Sequence, residues 1–340
     1  MTMLVSVCRT LALAALMVAG QAPSSAQDFF KGKQVTLLVA GTAGGGIDIG
    51  ARVMARHLGK YIPGNPNVVA QLMPGAGGIR MIDHMNQVAP KDGTVLGTVA
   101  PGPIIEPLIG KRKIDYRMTD FTMMAAMDKD VTLCLAWGAS KFKTIKDVMD
   151  TPMNVAGTGA GSSTDIYPMF LNEVMGTKFK VITGYLGSQE TIIAIERGEV
   201  DGRCGWGWSS LNSTKPDWVR DRKVTYLLQL ALEKNPKVDA PLALDFAKDD
   251  ATRQMMTLMF GPLALNKPFF GPPGMPADRT AELRKAFAQA LADKDLRAEA
   301  LKTFGDELEP TSGEAAQKLI ADIYATPPAV AERLRGILSK

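Results

Sequence analysis

A short apolar run, Val35 to Ala40, breaks into four glycines within the six positions Gly41 to Gly46, and the spacing behind them turns helical. Ile47, Ala51, Met54 and Leu58 follow at steps of four, three and four, which is one face of a helix. Asp48 stands where an acid belongs in a first helical turn. The stretch is therefore strand, glycine loop, helix. A helix start carries N–H groups with no carbonyl partner and a partial positive charge, and glycines let an anion come close to both. A tight turn between packed elements, with no ligand, is the other reading of the same residues.

The pattern recurs. Asn67 to Leu72 reads as a strand, Pro74-Gly75-Ala76-Gly77-Gly78 as a second glycine loop, and Ile79, Ile82 and Met85 as one side of a helix that stops at Ala89-Pro90. Thr94 to Val99 is a third strand. Such alternation predicts a largely parallel sheet flanked by helices. Beyond Pro101 the chain becomes proline-rich and then basic, and an apolar run from Val131 to Trp137 marks a crossing into a second domain. There Met153 to Ala156 is a strand, and Gly157 to Ser163 is a third glycine-rich loop. Ser162 with Asp165 makes a capping-box pattern at the next helix. Lys180 to Thr183 and Val200 to Cys204 read as further strands, and Tyr226 to Leu232 as one returning toward the first domain. After Pro272-Pro273 the chain is helical.

With 340 residues there is room for two domains, each with its own core. The expected division is a leader at 1–26, a first domain of 27–125 plus 226–340, and a second domain of 126–225. Residues 1–26 have the form of an export signal: Arg9, an unbroken apolar run from Leu11 to Ala19, and Ser24-Ser25-Ala26 before a cleavage point. An uncleaved anchor would need a longer apolar run. The formal charge of +4 is small and scattered, without the basic stripe that nucleic acid requires. Of three cysteines, Cys8 leaves with the leader. Cys134 and Cys204 lie in apolar runs and are expected as buried free thiols, with a bridge as the alternative.

Enzyme signatures are missing. Gly157, Gly159 and Gly161 resemble a dinucleotide fingerprint, but Ser162 stands where its last glycine belongs, and no loop carries the Lys-Ser/Thr of a P-loop. His57 and His84 are the only histidines and are expected on the surface, and metal-ligand spacing is lacking. No catalytic residue, metal or cofactor is expected. If the two domains face one another, the loops at 41–46 and 157–163 can aim both helix starts at one anion in the cleft between them. A side chain at Gly46 or Gly161 would then fill the anion position.

Six motifs in order carry a resemblance: Gly44 to Arg52, Pro74 to Gly78, Ala89 to Leu96, Gly159 to Ser162, Tyr185-Leu186-Gly187-Ser188 with Gly198 to Asp201, and Pro272 to Ala277. Together they resemble the periplasmic solute-binding receptors of tripartite tricarboxylate transporters. The resemblance implies a two-domain clamshell of the periplasmic-binding-protein fold, a monomer that closes on a small organic carboxylate. It also implies partners: a large and a small membrane permease subunit that take the ligand on. By position, the implied ligand-binding residues are Thr42, Ala43, Gly44, Gly45, Gly46 and Asp48 in the first loop. In the second they are Thr158, Gly159, Ala160, Gly161, Ser162 and Ser163. Asp48 has a second reading, as the acid that orders its own loop.

Departures from the family pattern bear on the far side of the pocket. Met73 stands where an arginine is frequent, Asp165 where a histidine is, and Gly205-Trp206 where an acid follows the strand. Tyr185, Trp206 and Trp208 offer an aromatic wall or, alternatively, packing beneath a domain junction. Arg203 offers a second carboxylate partner or a solvated side chain beside Asp201. A sensor delivering its signal to a membrane partner, and an exported enzyme using the same cleft, are the competing functions.

Overall fold

The structure is a computed structural model describing residues 29–110, 114–159 and 162–338; the leader at 1–26 lies outside these, as do Ala160 and Gly161. The opening unit forms as its pattern predicts. β1 (Gln34–Val39) buries Val35, Leu37, Leu38 and Val39, and α1 (Gly46–Leu58) turns Ala51, Met54 and Leu58 inward. β2 (Asn67–Leu72), α2 (Ile79–Gln87) and β3 (Val95–Thr98) repeat it, with β1 parallel to both strands. α3 (Gly102–Ile109) and β4 (Thr122–Asp128) follow.

The chain then crosses. β5 (Thr132–Trp137), α4 (Ile145–Asp150), β6 (Met153–Ala156), α5 (Ser163–Met175), β7 (Phe179–Ile182), α6 (Ser188–Glu196) and β8 (Gly202–Gly207) build a second layer. α7 (Trp208–Thr214) and α8 (Pro216–Arg220) precede β9 (Val224–Leu230). After α9 (Asp250–Phe260) the chain recrosses into β10 (Asn266–Gly271). α10 (Ala277–Ala292), α11 (Lys294–Phe304), β11 (Thr311–Ser312), α12 (Gly313–Tyr324) and α13 (Pro328–Ile337) complete it.

The strands form two sheets, ordered β11-β4-β10-β3-β1-β2 and β7-β6-β8-β5-β9. Within each, the βα units are parallel as expected. The strands next to the crossings run antiparallel, β10 against β3 and β4, and β5 against β8 and β9, so both sheets are mixed. Two expectations change. The strand at 224–230 does not return to the first sheet: it pairs with β5 at the edge of the second. β4 runs to Asp128, past a division at 125/126. An apolar cluster spans both sheets, from Leu38 and Met81 to Leu133 and Trp206, and a second lies beneath α1, α10 and α11.

Cys134 and Cys204 are not free thiols. β5 and β8 are neighbours whose register sets the two residues opposite one another, and they form a disulfide. The sequence shows two apolar runs, not that those runs share a sheet. Among the described residues no helix is long and apolar enough to cross a membrane.

Candidate functional site

Between the two sheets lies a cavity of about 460 Å³. The first sheet's side supplies the start of α1, the loop 74–78 and the start of α3. The second sheet's side supplies the loop after β6 with the start of α5, the turn at Leu186-Gly187-Ser188, and β8 from Arg203 to Gly207.

On the first side, Asp48 orders its loop. Its carboxylate, 2 % exposed, accepts the Gly44 N–H at 2.9 Å and the Arg52 Nε–H at 2.7 Å. Gly44 adopts φ +72°, which glycine reaches without strain. Asp48 also borders the cavity. Gly46, Ile47 and Asp48 open α1, where N–H groups have no carbonyl one turn behind them. Gly46 and Gly50, four apart on one face, meet close neighbours: a Cβ on Gly46 would lie 2.6 Å from Ser210 Cβ, and one on Gly50 3.0 Å from Lys267 Cε. A side chain at Gly46 therefore collides with α7, so its effect is to push the two sides apart and not simply to fill an anion position.

On the second side the loop is held from within. Thr158 N–H donates to Thr164 Oγ1 at 3.0 Å, Gly159 N–H to Asp165 Oδ1 at 3.2 Å, and Ser162 N–H to Gly159 O at 3.0 Å. The main-chain donors expected to face a ligand at Thr158, Gly159 and Ser162 are thus already engaged, and among the described residues Ser163 and Thr164, at the start of α5, carry the ones left over. Asp165 also accepts from Ser162 Oγ at 3.1 Å and Thr183 Oγ1 at 2.7 Å. Ser162 is the cap residue but donates to Asp165 instead of accepting a main-chain N–H, so no capping box forms. Gly205 at φ +95° abuts the same helix start, where a Cβ would stand 2.7 Å from Ser163 O.

Of the residues anticipated for the ligand, Thr42, Gly45, Gly46, Asp48, Thr158, Gly159, Ser162, Ser163 and Trp206 border the cavity. Ala43, Gly44 and Tyr185 do not. Tyr185 turns its hydroxyl toward Glu199 at 3.5 Å, and Trp208 packs edge-on to Tyr226 at 5.8 Å, so the aromatic wall reduces to Trp206. Trp206 is both wall and packing, 2 % exposed and edge-on to Trp218 at 5.9 Å. Arg203 is buried, not solvated. Asp130, Ser210, Leu263 and Asn266 border the cavity as well, and none of them belongs to one of the glycine loops that marked the site in the sequence. Asp130 accepts from Val131 N–H at 2.8 Å, Ser209 Oγ at 2.7 Å and Asn266 Nδ2 at 3.2 Å, and burial raises its pKa against the pull of Lys267. His57 lies elsewhere, 2.7 Å from Glu299. Among the described residues no cluster of side chains is arranged to hold a metal ion.

A family model described as tripartite tricarboxylate transporter family receptor matches residues 51–334. The chain belongs to that family. Receptors of this family are periplasmic solute-binding proteins of the clamshell fold, and they are not enzymes. No match was found among curated proteins. Among solved structures, this receptor is similar to a TctC solute binding protein from Polaromonas, 17 % identical, covering 90 % of this chain and 98 % of that one at a TM-score of 0.60. It is similar to an R. palustris protein with adipate, 18 % identical, covering 90 % and 97 % at 0.68. It is also similar to MatC of Rhodopseudomonas palustris with bound malate, 21 % identical, covering 90 % and 99 % at 0.66. At such identities the likeness is one of fold.

Proposed function

We propose that this receptor is exported to the periplasm and binds a small organic carboxylate, mono- or dicarboxylate, in the cleft between its two sheets. It then delivers the acid to a permease of large and small membrane subunits. The observation that carries this reading is the convergence of two helix starts, at Gly46 and Ser163, on one cavity. Main-chain donors at helix ends suit an anion that must be released again, because they hold it by partial charges that need no proton transfer. The adipate and malate bound to two structural neighbours favour the same ligand class. The moving bodies in this reading are the two sheets with their helices, hinged where β4 leads into β5 and where the chain recrosses into β10.

A thermal-shift screen of the mature receptor against aliphatic and aromatic carboxylates tests it, with affinities for the best acid of about micromolar, or ~8 kcal/mol. A receptor that no carboxylate stabilises would rule the reading out. Loss of uptake of that acid on deletion of the receptor separates delivery from sensing.

A further inference from the structure

Arg203 stands in the cavity wall with no acid paired to it among the described residues. It lies on β8, which runs between β5 and β6, and is 7 % exposed. Its guanidinium carbon sits 4.6 Å from the centroid of the Trp206 ring, and Nη1 donates to Thr191 Oγ1 at 2.9 Å. Thr191 is itself fully buried and spends its own proton on Ser188 O at 2.8 Å, which leaves it only an acceptor for the arginine. Nε has no partner among the described residues. Burial pushes the pKa down to about 10 with no acid opposing it, and the group stays charged at neutral pH. The acid sharing the wall, Asp130, has its oxygens occupied by Val131, Ser209 and Asn266.

A guanidinium held for structural reasons alone ordinarily has its donors satisfied, because a buried, unpaired charge opposes folding. Here a ring face and a locked threonine fix the plane, Nε is left buried without a partner among the described residues, and Arg203 lines the cavity. We infer that Arg203 is a second anion anchor of this receptor, its guanidinium taking a second carboxylate of the ligand at the cavity wall. The inference rests on the carboxylate binding proposed above, and it narrows the ligand to an acid with two anionic groups. A planar fork facing a carboxylate is a geometry that lysine cannot reproduce.

The test is calorimetric titration of wild type, Arg203→Met and Arg203→Lys with straight-chain and hydroxylated dicarboxylates, each beside its monomethyl ester. The best diacid should bind wild type about 30-fold more tightly than its own monoester, the scale of one charged hydrogen-bonded contact. Arg203→Met should abolish that margin by weakening the diacid alone, and Arg203→Lys should restore only part of it. Unliganded Arg203→Met should melt no lower than wild type, which a merely structural arginine would not allow. Equal binding of diacid and monoester by wild type, or equal weakening of both in Arg203→Met, overturns the assignment while carboxylate binding stands. Failure of every acid to bind wild type overturns both.

Discussion

Gly46 on α1 and Ser210 on α7 face each other across the two sheets with no room between them for a methyl group, which would stand 2.6 Å from Ser210 Cβ. Gly46→Ala should therefore cost about 1–3 kcal/mol, the usual penalty for overpacking, and should weaken ligand binding by holding the sides apart. Ser210→Gly in the same chain should recover both. Urea unfolding and calorimetric titration of the single and double variants measure the two effects.

Asp48 ties the first loop to its helix through Gly44 and Arg52. Asp48→Ala leaves the loop unordered, and stability should fall by about 1.5–3 kcal/mol, in line with hydrogen bonds to a charged group. Affinity should drop by roughly tenfold, since the loop must then be ordered by the ligand. Asp48→Asn keeps an acceptor for the Gly44 N–H and should lose less of each.

Asp128 closes β4 and is 7 % exposed, with Oδ1 accepting the Glu309 N–H at 2.8 Å. Burial first, and Asp130 second, raise its pKa from 3.8 to about 7, against the pull of Glu309 N–H and Lys267. Between these values the folded state holds a proton that the unfolded state has lost, so this group makes stability fall as pH rises from about 4 to 7. Asp128→Asn should flatten that slope and raise stability at pH 8 by at most roughly 4 kcal/mol. Urea midpoints from pH 4.5 to 8 decide it; a slope unchanged in the variant would refute the assignment.

At the mouth of the cleft, Gly187 meets Thr42: a Cβ there would lie 3.0 Å from Thr42 Oγ1. The Gly187 backbone is extended at φ −174°, so a side chain strains nothing but this approach. Gly187→Val should lower affinity about tenfold or more by wedging the lips, with the unliganded melting temperature almost unchanged. Adding Thr42→Gly should restore binding.

The opening βα units were legible because Leu37, Ala51, Met54 and Leu58 repeat with the periods of their elements, and the glycine loops announced turns that need φ above zero, as at Gly44, Gly75 and Gly77. β10 was not legible. Its sequence, Asn266-Lys267-Pro268-Phe269-Phe270-Gly271, puts proline and lysine in a strand paired on both sides, and nothing local suggests that Lys267 is 1 % exposed. Arg203 was legible only as one of two alternatives, for a similar reason. Asp201 next to it suggested a solvated pair, but Asp201 accepts the Asn154 N–H at 2.9 Å, and β8 lies inside its sheet, buried on both faces. Local pattern fixes elements; only long-range pairing decides which charges those elements enclose.

β4 has its partners in β10 and β11, whereas all five strands of the second sheet fall within 132–230. On a ribosome the half made later can thus reach its finished hydrogen-bond ladder first, while β4 of the half made earlier waits as an open edge for residues 266–312. A chain truncated before Asn266 would leave that edge permanently exposed and prone to pair with a neighbour's.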